Sequence, residues 1–240
     1  MSPRDDSPRG TPFDRALYWI GWSIFLVFLR VLYRARYEGR ANVPRTGGCL
    51  IVANHQSYLD PPIVGTAVRA RSVNFIARIG LYKVPLLGLL IDHVHTIPIR
   101  EDSSDVAAMK AAIKRIESGR CVCIFAEGSR SPDGTLQPFK RGVALLLKRA
   151  KCPVVPVAVE GAYDVFPRGR SFPALRGHVA CRIGTPIDHA QLLGDGADEA
   201  ISHIAREIES MRLDLRAGMR ERSSGKYPRE RLADARAPWL

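Results

Sequence analysis

The sequence predicts an α/β fold: a mostly parallel sheet flanked by helices, preceded by one strongly apolar helix. Two observations carry the sheet. Short apolar runs of strand length recur at 49–53, 121–125 and 154–159, with no charged residue inside any of them. Unbroken apolar runs suit strands buried on both faces, as parallel strands are. Stretches with helical spacing separate these runs, and alternation of strand and helix argues for crossovers rather than hairpins. The third observation is an uncharged run near the N-terminus, which predicts the helix in front.

In chain order, residues 1–12 are rich in Pro, Ser, Arg and Asp and read as disordered. The composition then changes abruptly. Ala16 to Leu29 offers 14 uncharged positions, or 18 if Arg30 snorkels and the run continues to Tyr33. A bilayer-spanning helix needs about 20 apolar residues. Three readings compete for this segment. A secretory signal is disfavoured, because no small-residue cleavage site follows and Arg34, Arg36, Arg40 and Arg45 do. A buried core helix is the second. The preferred reading is a membrane-associated helix over 13–35, lying at or shallowly in the interface, with Trp19 and Trp22 at the lipid boundary and arginines against anionic headgroups.

The catalytic-size domain is expected over 36–217. Cys49–Ala53 reads as a short buried strand, and Asp60-Pro61-Pro62 opens a helix to about Arg71. Val73–Ala77 and Thr96–Ile99 read as strands around the apolar stretch Leu81–Ile91, which Pro85 interrupts. Ser104–Glu117 has helical periodicity (Val106, Met109, Ile113, Ile116) and stops at Gly119. Cys121–Phe125 is a strand, Gly142–Ala150 a helix, Val154–Val159 a strand, His178–Ile183 the last strand and Ala197–Leu215 a terminal amphipathic helix. From Gly218 the chain is polar and basic and reads as a flexible tail over 218–240.

Charge narrows the partners. Lys and Arg number 36 against 24 Asp and Glu, a net of +12, which points to nucleic acid, an anionic membrane surface or phosphorylated small molecules. The cations are not interleaved with aromatics along one element, so nucleic acid is not supported. Cys49, Cys121, Cys123, Cys152 and Cys181 form no CxxC pair and lie mostly in apolar runs, which reads as buried thiols in a reducing cytoplasm and no metal site.

Chemistry gathers where strands end in sheets of this kind. The strand 49–53 runs into Asn54-His55-Gln56-Ser57-Tyr58-Leu59-Asp60. On one helix His55 and Asp60 would lie on different faces, so they meet only if a turn folds between them. In that turn Asp60 would accept the Nδ1–H of His55 and leave Nε2 free to take a proton. Taken alone, Asp60 before Pro61 is equally a helix N-cap, and His55 a structural histidine. A second constellation, Phe125-Ala126-Glu127-Gly128-Ser129-Arg130-Ser131, follows another strand. Gly128 permits a close backbone approach. Arg130 offers a fork for phosphate or carboxylate. Glu127 is expected to orient Arg130 or to accept a substrate hydroxyl; the alternative is a charged surface turn. Arg100, Lys140 and Arg141 add cations. Ser129 is no hydrolase nucleophile: the flanking positions that need Gly hold Glu127 and Ser131. No Walker sequence or dinucleotide loop is present.

These residues resemble the glycerophospholipid acyltransferases, the family of PlsC-type 1-acylglycerol-3-phosphate acyltransferases. Asn54–Asp60 resembles the family's His-x4-Asp box, Thr96-Ile97-Pro98-Ile99-Arg100 its second block, Phe125–Ser131 its Phe-Pro-Glu-Gly-Thr-Arg-Ser block and Val154–Val159 its fourth. The similarity covers about residues 37 to 190. Departures are Ala126 for Pro, Ser129 for Thr, Arg78 where a lysine is expected, and His95 where a small residue is common. The resemblance implies transfer of a fatty acyl group from acyl-CoA or acyl carrier protein to a lysophosphatidic acid hydroxyl at the cytoplasmic face of the membrane. His55 would be the base, with Asp60 orienting it; Arg100, Arg130 and Glu127 would hold the phosphate, and Arg78 or a backbone N–H near Gly128 would hold the oxyanion. No metal or bound cofactor is implied. Alternatives are another lysolipid acceptor, such as a lyso-ornithine lipid, or a non-catalytic lipid-binding protein.

Overall fold

The structure, a computed structural model, describes residues 12–78, 97–99 and 105–240. Seven strands form one sheet among these residues: β1 (Arg36–Glu38), β2 (Cys49–Ala53), β3 (Val73–Arg78), β4 (Ile97–Ile99), β5 (Cys121–Phe125), β6 (Val154–Glu160) and β7 (Ala180–Ile183). Their order is β1-β7-β6-β2-β5-β3-β4. Strands β2 to β6 run parallel; β7 is antiparallel to β6, and β1 pairs parallel with β7. The sheet is therefore mostly parallel, as expected. Helices are α1 (Pro12–Tyr33), α2 (Asp60–Ala67), α3 (Asp105–Glu117), α4 (Gly142–Arg149), α5 (Ala162–Val165), α6 (His189–Leu192) and α7 (Ala197–Arg222).

Strand alternation divides the core into two halves. Leu50, Val52, Val122, Ile124 and Val154 point to one face, where α3, α4 and α7 supply Ile116, Leu146, Ile204 and Ile208. Cys49, Ile51, Ala53, Cys121, Cys123 and Val157 point to the other, where α1 and α2 supply Leu29, Tyr33, Ile63 and Val64. Successive strand residues face opposite sides, so a run with no polar residue needs cover on both. All five cysteines are free and buried within these layers.

Helix α1 belongs partly to this core. Tyr18, Leu29 and Tyr33 are buried, and the Trp22 indole N–H donates to the Gly65 carbonyl on α2. Its opposite face is bare: Ile20, Ile24, Val27 and Val31 are 55–71% exposed, a stripe at helical spacing. Among the described residues no helix is long and apolar enough to cross a membrane.

Three expectations need correction. Helix α2 stops at Ala67 rather than near Arg71, because the Arg40 guanidinium takes the carbonyls of Thr66 and Ala67 and Val68 is extended. Helix α7 runs on to Arg222. The segment expected as a flexible tail folds back instead: Ala233 and Ala237 are buried, and the Trp239 indole donates to the Leu136 carbonyl at 2.8 Å. Buried arginines of α7 hold it there, Arg212 through the Ala233 carbonyl at 2.7 Å and Arg216 through the Arg229 carbonyl at 2.6 Å. The expected disordered N-terminus and the stretch Leu81–Ile91 fall outside the described residues.

Candidate active site

At the end of β2 the chain turns sharply, and polar contacts fix each residue of the turn. The Asn54 side chain imitates a strand, bonding both the N–H and the carbonyl of Val159 at 2.7 and 2.9 Å. The His55 N–H donates to Glu127 Oε1 at 2.7 Å, and its carbonyl accepts from the Ser131 N–H at 2.7 Å. The turn after β5 thus grips the His55 main chain from both sides. Gln56 reaches the Gly134 carbonyl at 2.9 Å and Glu160 at 3.3 Å; Ser57 Oγ donates to the Phe166 carbonyl at 2.8 Å.

The fold between His55 and Asp60 brings the two together. His55 Nδ1 lies 2.7 Å from Asp60 Oδ2, and the same oxygen accepts the N–H groups of Gln56 and Ser57 at 2.6 and 2.7 Å. The carboxylate is turned back into the loop, and it makes no cap bond to α2, whose N-cap is Leu59. The helix-cap reading of Asp60 is therefore replaced. The His55 ring stacks on Phe125, centroids 4.2 Å apart, and its side chain is 18% exposed. With Nδ1 held by a carboxylate, Nε2 is the nitrogen left to exchange a proton with a ligand.

Glu127 has a different place from either expected one. It is buried and bonds the main chain of His55 and, through Oε2, the N–H of Gln137 at 3.2 Å. Burial pushes its carboxyl well above the usual range, against the pull of those two N–H donors. It makes no ion pair with Arg130 among the described residues. Arg130 instead lies over the Tyr58 ring, its guanidinium carbon 3.4 Å from the centroid. Its Nη1 is buried with no hydrogen-bond partner among the described residues, a donor beside the His55 loop available to an anion.

Gly128 sits at φ 67°, and a Cβ there would meet Lys140 Cγ at 2.8 Å. Its N–H is spent on the Phe125 carbonyl at 3.0 Å, which removes it as an oxyanion donor. Arg100 and the side chain of Arg78 lie outside the described residues, as do Thr96 and His95.

Sequence reasoning missed the supporting shell: Asn54, Gln56, Ser131 and Glu160, all buried and polar. A polar residue directly after an apolar strand was the available signal for Asn54. Nothing local marks Glu160, whose partners Arg212 and Arg216 lie on α7 at 3.1 and 2.7 Å. A cavity of about 1180 Å³ between α3 and α4, lined by Lys110, Ile113, Leu145 and Pro153, opens at the starts of the strands, the opposite end from His55. It takes no part in this site.

Comparison with known proteins agrees with the geometry. The 1-acyl-sn-glycerol-3-phosphate acyltransferase BAT2, chloroplastic, of Brassica napus is 32% identical over 203 residues, 82% of this chain and 55% of that protein. The Arabidopsis thaliana enzyme LPAT1, chloroplastic, is 29% identical over 81% of this chain and 53% of its own length. The chain thus spans about half the length of these curated relatives. The 1-acyl-sn-glycerophosphate (LPA) acyltransferase PlsC from Thermotoga maritima has a similar crystal structure: TM-score 0.68, 27% identity, 85% of this chain and 80% of that one. The model of the family described as Acyltransferase matches residues 34–160, from the end of α1 to the buried Glu160. That match holds the His55 turn, the Glu127 turn and every strand that positions them, and the chain belongs to the acyltransferase family.

Proposed function

We propose that this protein transfers a fatty acyl group from acyl-CoA or acyl carrier protein to the free hydroxyl of 1-acyl-sn-glycerol-3-phosphate, giving phosphatidic acid. The observation that carries the reading is the His55–Asp60 pair, 2.7 Å apart in a turn gripped at both the N–H and the carbonyl of His55. The names of the similar proteins supply the acceptor.

His55 Nε2 removes the proton as the acceptor oxygen attacks the thioester carbonyl. The tetrahedral intermediate collapses, the C–S bond breaks, and the imidazolium returns its proton to the leaving thiolate. Asp60 holds the ring and stabilises the imidazolium. Such general-base help contributes about 10²–10⁴-fold. The unpartnered Nη1 of Arg130 suits the acceptor's phosphate, with Arg100 assigned there as its companion and Arg78 assigned to the oxyanion. Glu127 acts through the His55 main chain and Gly128 through backbone shape. These residues need no bound metal or cofactor for this chemistry.

The bare stripe Ile20, Ile24, Val27 and Val31 supports a place at the membrane surface, where both substrates partition. The five buried free thiols suit the cytoplasmic face.

His55→Ala is expected to lower transfer of labelled acyl-CoA onto lysophosphatidic acid by at least about 10²-fold, with an unchanged melting temperature. A variant of full activity would remove His55 from the role of base. Running the same assay over a panel of lysolipids tests the acceptor.

A further inference from the structure

The mechanism leaves unused a cluster of cations at the edge of the sheet. Arg34, Arg36, His178 and Arg222, with Val179 and Met219, line a small cavity of about 90 Å³. They come from four places in the chain: the residue after α1, the start of β1, the segment entering β7 and the last residue of α7. None of the three arginines has a carboxylate within ion-pair distance among the described residues. Arg34 holds a left-handed backbone, φ 47°, which a non-glycine residue rarely adopts. Its guanidinium lies 3.4 Å from His178 Nε2. Burial first, and then Arg34, Arg36 and Arg222, lower the His178 pKa below its ordinary 6.5.

Part of this charge has an ordinary explanation. Helices α1 and α7 both end here, and a helix C-terminus carries about half a negative charge. Two ends supply about one negative charge against three guanidinium groups, which leaves about two positive charges uncompensated.

The surroundings say what compensates them. The segment from Phe166 to Gly177 carries Arg168, Arg170 and Arg176, all exposed, and no acidic residue. At its tip Phe172 and Leu175 are 78% and 87% exposed. This loop is fastened to the end of α1: the Tyr33 hydroxyl donates to the Ala174 carbonyl at 3.0 Å, and the Gly177 N–H to the Leu32 carbonyl at 3.4 Å. The loop that carries Phe172 and Leu175 is thus tied to the end of α1, where the apolar stripe reaches Val31. Exposed aromatic and aliphatic side chains among arginines match the boundary between acyl chains and anionic headgroups.

We propose that Arg34, Arg36, His178 and Arg222 bind the phosphate of an anionic phospholipid headgroup while Phe172 and Leu175 enter the acyl layer, a second membrane contact beside α1. The proposal rests on the reading that the protein works at a membrane surface. The same loop reaches the catalytic turn, since Ser57 Oγ bonds the Phe166 carbonyl. Docking it would hold the mouth of the site against the bilayer.

The test is sedimentation of the full chain with vesicles of phosphatidylcholine, or of phosphatidylcholine mixed with phosphatidylglycerol. Replacing Arg34, Arg36 and Arg222 together by Gln should weaken partition onto the mixed vesicles on the order of 100-fold, since each surface arginine is worth about fivefold. Partition onto phosphatidylcholine alone should change little. Replacing Lys148, Arg149 and Lys151 by Gln at the far end removes the same charge and should weaken binding far less. Phe172→Ser with Leu175→Ser should weaken binding to both vesicles about tenfold or more. Turnover of a short-chain, water-soluble acceptor should survive in all of these, which shows that they fold; Arg36→Gln alone serves if the triple variant does not. Equal losses from the two charge replacements, or none from the first, would overturn the site and leave the membrane reading standing. Wild-type protein that sediments with neither vesicle would overturn both.

Discussion

Asp60 Oδ2 takes three donors within 2.7 Å, the His55 ring and two backbone N–H groups, while Oδ1 is buried without a partner among the described residues. One oxygen therefore holds both the turn and the ring. The two can be separated. Asn at position 60 can still present an oxygen to the backbone donors, but its neutral amide stabilises an imidazolium far less. Asp60→Asn is expected to lower kcat by about 10²–10⁴-fold with a melting temperature close to wild type. A full-rate variant would reduce Asp60 to a turn former. The meeting of His55 and Asp60 was legible in the sequence because four intervening residues, Ser57 among them, with Pro61-Pro62 after them leave few ways to turn from a strand into a helix. The burial of Glu127 was not. An acid beside an arginine reads as an ion pair, whereas its actual partners are main-chain groups at positions 55 and 137.

The turn from Ser131 to Gln137 shows how an element outside the His55–Asp60 pair sets its geometry. Asp133 Oδ1 accepts from the Ser131 hydroxyl and from both the N–H and the hydroxyl of Thr135. Burial pushes the Asp133 pKa up, but these hydrogen bonds outweigh it and hold the pKa below the ordinary 3.8. A carboxyl depressed on folding contributes stability that is fully present above pH 3.8 and is lost as pH falls through its lower folded value. The melting temperatures of wild type and Asp133→Asn should therefore differ most above pH 3.8 and converge as the pH falls below it. A gap independent of pH would mean that Asn keeps the turn equally well. Strands β2, β5 and β6 were readable because burial on both faces leaves an unbroken apolar run. Strand β1 was not: Arg36-Tyr37-Glu38 is a polar edge, made a strand only by pairing with Ala180–Arg182. The reversal of β7 was equally invisible, since no local pattern distinguishes an antiparallel neighbour from a parallel one.

At the scale of the whole molecule, one buried ionic cluster ties the His55 end of the sheet to the C-terminus. Glu160, at the end of β6, meets Arg212 and Arg216 of α7, and Arg212 also pairs with Glu209 at 2.7 Å. The remaining donors of these arginines go to the carbonyls of Arg229, Ala233 and Ala235 and to the Asp234 carboxylate, while the Ala237 N–H returns to Glu209 at 2.8 Å. Arginine in a helix reads from sequence as a solvated face, and a polar basic segment reads as loose. Each is ordered here by the other, so neither could be recognised alone. A loose tail could be removed at a cost within about 0.5 kcal/mol. Deleting residues 229–240 instead strips charged, buried guanidinium groups of their acceptors and uncovers Leu136 and Glu209. The expected cost is roughly 3–5 kcal/mol, read from the midpoint and slope of urea unfolding. Gln56 touches Glu160 from the His55 turn, so activity should fall at temperatures below the onset of global unfolding. Unchanged stability after the deletion would return the segment to the status of a tail and leave Glu160 and Glu209 to anchor the arginine pair.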